Sequence, residues 1–306
     1  VPPTPFFSIV VPTRNEAEDI IATLESIRAS AVSDFEVLVV DASSDETPRL
    51  VREFGDPRFR LLPQERRDGR CGARNQGIRA AAGEVVVILN ADVRLPRDFL
   101  SRLERHYAGG ADYVVVDSRV ENVEHPFGLY VEASHRALYR SGRERVNWSE
   151  GYSCRRRCAI EAGLFPADLP APMCAGEDAL FGEEMARRFR RVEDWDLVVT
   201  HRVPSRWGAL WSVRCERGLG VAQRRAWLEG WTRGRLVRDS LWWGLKTLLW
   251  VALVFPWARK ARWLAASLPS PAGAWRRLLF PVVFDRVAHE VGRWRGVAMV
   301  FRTALL

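Results

Sequence analysis

Lysine is almost missing from this chain of 306 residues: Lys246 and Lys260 are the only two, and the other 44 basic residues are Arg. Neither lysine follows a glycine, so the phosphate-cradling loop G-x-x-x-x-G-K-[ST] is absent, and P-loop ATPases are excluded. No G-x-G-x-x-G run follows a strand. The nearest cluster, Gly69, Gly72 and Gly77, has the wrong spacing for an ordinary dinucleotide-binding dehydrogenase. Cysteine is scarce and odd in number, five in all. That argues against a disulfide scaffold and for a reducing compartment. Cys154 and Cys158 lack a second ligand pair at zinc spacing and read as ordinary thiols. The opening Val1-Pro2-Pro3-Thr4-Pro5 has neither the charged nor the apolar stretch of a signal peptide, so secretion is not expected.

What is present is unevenly spread. Residues 202–306 hold 19 Lys+Arg and 5 Asp+Glu, whereas residues 1–201 hold 27 and 33. Eleven of the 13 Trp also fall after residue 201. An acidic region followed by a basic, Trp-rich one predicts two parts meeting different partners: an α/β domain over 1–215 and a helical region over 216–306.

Over the first 120 residues strand and helix signals alternate. Ser8–Thr13, Glu36–Asp41, Arg58–Pro63, Val85–Asn90 and Tyr113–Asp117 are Val- and Ile-rich runs. Ile20, Ile21, Leu24 and Ile27 follow at helical spacing, and Thr47–Phe54, Arg74–Ala82 and Arg97–Tyr107 are further helix candidates. This alternation predicts an α/β fold with a mainly parallel sheet flanked by helices, whose ligands bind at the carboxyl ends of the strands. Polar residues closing a strand are therefore the candidates. They are Pro12-Thr13-Arg14-Asn15-Glu16, Asp41-Ala42-Ser43-Ser44-Asp45, Asn90-Ala91-Asp92 and Asp117-Ser118. Helix capping is the competing explanation for Asn15, Ser44 and Asp45. It is weaker for Asp92, because Val93-Arg94-Leu95-Pro96 delays the next helix. From Gly151 to Met185 the sequence reads as irregular until a helix starts near Gly176-Glu177-Asp178, and Trp195–Thr200 reads as a strand ending at His201. Arg155–Arg157 reads as a solvated basic run.

Four of these segments, in order, resemble glycosyltransferase family 2, the inverting enzymes of GT-A fold: Ser8–Glu16 (SIVVPTRNE), Val39–Thr47 (VVDASSDET), Gly72–Pro96 and Gly176-Glu177-Asp178. The resemblance implies transfer of a sugar from a nucleotide-diphosphate donor, UDP- or GDP-linked, to an acceptor hydroxyl or phosphate. It implies nucleotide contacts from Pro12, Thr13, Asn15, Glu16 and Asp41, with Arg74, Asn75, Asn90 and Ala91 lining the nucleotide and sugar pocket. It places a divalent cation, Mg²⁺ or Mn²⁺, on Asp92 and His201. The family's D-x-D is here Asn90-Ala91-Asp92. Asp178 takes the part of general base, and Glu177 orients the acceptor or the loop. The chemistry agrees: a carboxylate-held cation can neutralise a departing diphosphate, and a second carboxylate can accept the acceptor's proton.

The basic region carries Leu241–Ala258, 18 residues with Lys246 as its single charge. At ~1.5 Å per residue it is of borderline length for a bilayer span, and Pro256 is placed to kink it. Arg-flanked apolar runs with many Trp predict helices lying in a membrane interface. The region around Trp207–Trp231 resembles that of bacterial exopolysaccharide and lipid-linked sugar transferases. A lipid-linked or saccharide acceptor at the cytoplasmic side of the cell membrane is therefore expected, with the membrane surface met by 216–306, no nucleic acid bound, and a homo-oligomer allowed. Two alternatives differ in what they require: a transferase acting on a soluble metabolite, with no detergent dependence, and an inactive α/β module whose basic tail grips nucleic acid, with a steep salt dependence.

Overall fold

A computed structural model describes residues 4–66, 68–139 and 150–303. In chain order the elements are β1 (Phe7–Thr13), α1 (Ile20–Arg28), β2 (Phe35–Asp41), α2 (Thr47–Glu53), β3 (Phe59–Pro63), α3 (Gly69–Ala80), β4 (Val85–Leu89), β5 (Val93–Arg94), α4 (Phe99–Ala108), β6 (Tyr113–Val120), α5 (Pro126–Tyr139), β7 (Glu150–Arg155), α6 (Arg156–Glu161), α7 (Glu177–Arg188), β8 (Arg191–His201), α8 (Trp207–Gln223), α9 (Arg233–Ala252), α10 (Val254–Ala265) and α11 (Ala274–Thr303). They form two compact units. One comprises residues up to 119 with 150–168 and 177–201; the other comprises 120–139, 169–176 and 202–303.

The first unit is mixed α/β. Its sheet runs β3-β2-β1-β4-β7-β6-β8-β5. The pairs β2–β3, β1–β2 and β1–β4 are parallel, as the βα alternation predicts. The remainder corrects the expectation of a mainly parallel sheet: β7 runs antiparallel to both β4 and β6, and β5 antiparallel to β8. The reason lies in β7, Glu-Gly-Tyr-Ser-Cys-Arg, which has no Val/Ile run to advertise a strand inside the stretch taken as irregular. β4 is buried along its whole length, the continuous apolar pattern of a strand covered on both faces. α3 lies close on β1: a Cβ at Gly77 would come within 2.3 Å of Val10, so only glycine permits this approach. Arg155 and Arg156 are not a solvated run; their guanidiniums donate to the carbonyls of Ala111, Tyr107, Ile78 and Arg79. Cys154 and Cys158 are buried free thiols.

The second unit is helical, with its own core of Phe127, Tyr130, Leu210, Leu264, Leu278 and Val282 among others. The apolar run 241–258 is not one helix. It breaks at Leu253 (φ −98°, ψ 115°), and α9 and α10 are bent by 86° there. Pro256 accounts for the position: its ring would strike the carbonyl of Ala252 in a continuous helix, so the chain turns directly after Ala252. Pro256 then sits in the first turn of α10, where no N–H is needed. Among the described residues no single helix is long and apolar enough to cross a bilayer; α9 and α10 pass only together, as a bent pair.

Candidate active site

The ends of β1 and β2 are laced together. Thr13 pairs in register with Asp41, and its hydroxyl donates to the Asp41 carboxylate at 2.7 Å. The Ser43 hydroxyl donates to the same oxygen at 2.6 Å. Asn15 takes a left-handed backbone (φ 61°), which Asn tolerates better than most residues. Its amide donates to Ser43, and its side-chain carbonyl accepts from the Ser44 amide at 2.9 Å. Asn15 thus bridges two loops rather than capping α1. Asp45, one residue before the cap position of α2, accepts from the backbone amide and hydroxyl of Thr47.

A second group forms around Asp92. Ala91 is pinned by the Thr23 hydroxyl, which donates to its carbonyl at 2.6 Å. Val93 then pairs with His201, and this short bridge between β5 and β8 sets the partly exposed Asp92 beside the end of β8. His201 is buried, and its Nδ1 lies 3.1 Å from the Ser118 hydroxyl and 3.3 Å from Glu150 Oε2. The Ser118 hydroxyl donates to Glu150 at 2.6 Å. Burial pushes the Asp92 carboxyl up to about 6; His201 pulls against this and Glu150 adds to it. Glu16 is pushed up to about 7, by burial first and then by the Asp92 and Asp19 carboxylates. Asp19 itself is tied to Arg94 at 3.0 Å.

A buried bridge joins this turn to the start of α7. Arg74, 1% exposed, donates to Asn90 Oδ1 at 3.2 Å and to Glu177 Oε1 at 2.8 Å. Burial would raise the Glu177 carboxyl, but Arg74, with Arg70 at 3.9 Å, outweighs it and holds the group below the usual range. Glu177 therefore anchors the helix. Asp178, the next residue, is partly exposed and accepts from the Ala179 amide through one oxygen. Asn75 is buried, and both ends of its carboxamide hold the Phe165 backbone, at 2.8 and 2.9 Å. The structure thus brings Pro12, Thr13, Asn15, Glu16 and Asp41 to one strand end and Asn90, Ala91, Asp92 and His201 to another. It puts Arg74 and Asn75 behind the surface as supports.

The donor set at Asp92 suits a hard divalent cation: carboxylate oxygen from Asp92, imidazole nitrogen from His201, and further carboxylates close by. Nδ1 of His201 faces Ser118 and Glu150, so the Glu150 carboxylate is placed to fix the ring. Glu150 and Asp19 are absent from the residues expected from sequence. Ser118 was among the strand-closing candidates, although β6 runs on to Val120 and places it inside the strand. Glu150 was not, because it starts its strand. In an antiparallel β7, however, the starting residue lies beside Leu89, at the carboxyl end of β4.

The site is thus a cluster of carboxylates at strand ends of a mixed α/β sheet, and the comparisons give the family. The profile described as Glycosyl transferase family 2 matches residues 8–162. The chain belongs to glycosyltransferase family 2. It is 42% identical over 113 residues to the succinoglycan biosynthesis protein ExoO of Rhizobium meliloti, covering 36% of this chain and 32% of the relative. It is 31% identical over 196 residues to the putative glycosyltransferase EpsH of Bacillus subtilis, covering 58% and 55%. The matches thus span about a third to just over half the length of these relatives. Among solved structures, the mannosyltransferase PcManGT from Pyrobaculum calidifontis, in complex with GDP-Man and Mn²⁺, aligns with a TM-score of 0.56 at 22% identity, over 99% of this chain and 76% of that one. S. aureus TarS 1-349 in complex with UDP-GlcNAc aligns with a TM-score of 0.55 at 17% identity, over 97% and 92%. The fold is GT-A-like.

Proposed function

We propose that the chain is an inverting, metal-assisted glycosyltransferase that moves a sugar, a hexose, from a nucleotide-diphosphate donor to an acceptor on a lipid-linked carrier or polysaccharide, at the cytoplasmic side of the cell membrane. The observation that carries this reading is the Asn90–Arg74–Glu177 bridge, which ties the Asp92 turn to the start of the helix that carries Asp178. Thr13, Asn15 and Asp41 bind the nucleoside. Asp92 and His201 would hold Mg²⁺ or Mn²⁺, which would supply charge neutralisation for the diphosphate. Asp178 takes the proton from the acceptor hydroxyl as its oxygen bonds to the anomeric carbon. The bond from that carbon to the diphosphate oxygen breaks in the same displacement, and the nucleoside diphosphate leaves.

The names of ExoO, a succinoglycan biosynthesis protein, and of an Escherichia coli relative, a glucosyltransferase acting on a diphosphoundecaprenol-linked sugar and 37% identical over 86 residues, support a polysaccharide or lipid-linked acceptor. Exposed leucines in the basic region favour lipid over nucleic acid as its partner. The test is release of UDP or GDP from a panel of their sugars in the presence of membranes. Asp178→Asn should lower turnover by about 10²–10⁴-fold and leave donor affinity unchanged. Undiminished turnover in that variant contradicts the assignment.

A further inference from the structure

The bend between α9 and α10 exposes what a soluble helix pair hides. On α9, Leu241, Leu245, Leu248 and Leu249 recur at helical spacing and are each more than half exposed. At the corner itself Leu253, Val254 and Phe255 are more than half exposed, Phe255 reaching 73%. The stripe and the corner make one apolar surface. Beside it is a cleft of about 470 Å³ walled by Phe255, Pro256 and Trp263 and carrying two cations, Arg259 and Lys260. Apolar walls with paired cations match a lipid whose acyl chains continue from an anionic phosphate.

Charge distinguishes the occupants. Residues 240–284 contain Lys246, Arg259, Lys260, Arg262, Arg276 and Arg277, and no Asp or Glu; Asp285 follows and faces Lys260. A second copy of the same face would oppose cation to cation, whereas an anionic bilayer complements both the charge and the apolar stripe. Lys246 lies 4.5 Å from the Trp242 ring and 4.8 Å from that of Trp243, a cation–aromatic grouping suited to the headgroup layer.

We propose that the α9–α10 corner is a wedge that enters the headgroup layer of an anionic membrane, with a phospholipid phosphate held in the cleft between Arg259 and Lys260. This rests on the membrane location proposed above and names the element and lipid class responsible. The experiment is flotation of the 306-residue chain with vesicles of phosphatidylglycerol and phosphatidylcholine, and with phosphatidylcholine alone. Wild type should float with the anionic vesicles. Leu248→Glu with Phe255→Glu should lose about tenfold or more of that binding, since each places a charge in the apolar stripe. Arg259→Gln with Lys260→Gln should lose about fivefold per cation on anionic vesicles and little on phosphatidylcholine. Leu248, Phe255 and Arg259 are exposed and Lys260 is partly buried beside Asp285, and an unchanged melting temperature confirms that the variants fold. If wild type floats and both variants float equally, the membrane location stands and the wedge is wrong. If wild type does not float, the membrane location itself fails. If the chain dimerises and Leu248→Glu dissolves the dimer without affecting flotation, the face belongs to a second copy, and the wedge is overturned.

Discussion

Glu177 and Asp178 are adjacent in sequence and opposite in circumstance. Glu177 is 3% exposed and paired with Arg74, itself buried; Asp178 is partly open to solvent. Neutralising the first by Glu177→Gln leaves the Arg74 charge buried without its main counter-ion. The expected loss is about 3–5 kcal/mol in urea unfolding, relieved when Arg74→Met is made with it. A loss below ~1 kcal/mol would show that the pair does not hold the helix. At this scale the sequence was informative where a polar residue closes or soon follows a parallel strand: Asp41 ends β2 and Asp92 follows β4 by three residues, whereas His201 ends β8, which pairs antiparallel with β5. It was silent on Glu150, which opens an antiparallel strand, and on which residues of the pocket motif support rather than touch. Arg74 looks like a phosphate partner in a string of letters; only packing reveals that it is spent on Glu177 and Asn90.

Among the elements, α8 and α11 meet through glycines. A Cβ at Gly292 would lie 1.9 Å from the Cys215 carbonyl oxygen, and one at Gly218 would lie 1.8 Å from that of His289. Backbone cannot yield as a side-chain tip can, so Gly292→Ala should destabilise by about 1–3 kcal/mol or more. Gly208, on the same α8, has nothing within 4 Å of its would-be Cβ. Gly208→Ala should be neutral or stabilising by up to about 1 kcal/mol. Equal effects of the two substitutions in thermal unfolding would contradict the close approach. β1, β2 and β4 were legible as short, nearly continuous Val- and Ile-rich runs, and α1 by Ile and Leu at helical spacing. The corner at Leu253 was legible only as a warning from Pro256, since an apolar run carries no record of its own direction. α5 and β7 lack strong periodicity and emerge only from their packing partners.

For the whole molecule, the charge split marked two regions, but compact units follow contacts rather than composition. The helical unit takes in α5 and residues 169–176 as well as the basic C-terminal helices. Removing residues 241–306 to test membrane association would therefore strip Leu264, Leu278 and Val282 from a core they share with Phe127 and Tyr130. Such a chain should unfold rather than simply leave the membrane, which is why point variants at the α9–α10 corner are the better probes. The central claim concerns the other unit: the carboxylates gathered at Asp92 hold a cation and a nucleotide diphosphate together. It is tested most directly by the melting temperature of the chain with UDP, GDP and their sugars, each with Mn²⁺, with Mg²⁺ and with EDTA. At least one nucleotide should raise the melting temperature with metal, lose that effect in EDTA, and give none in Asp92→Ala. No shift with any of them, or a shift of the same size in Asp92→Ala, would contradict it.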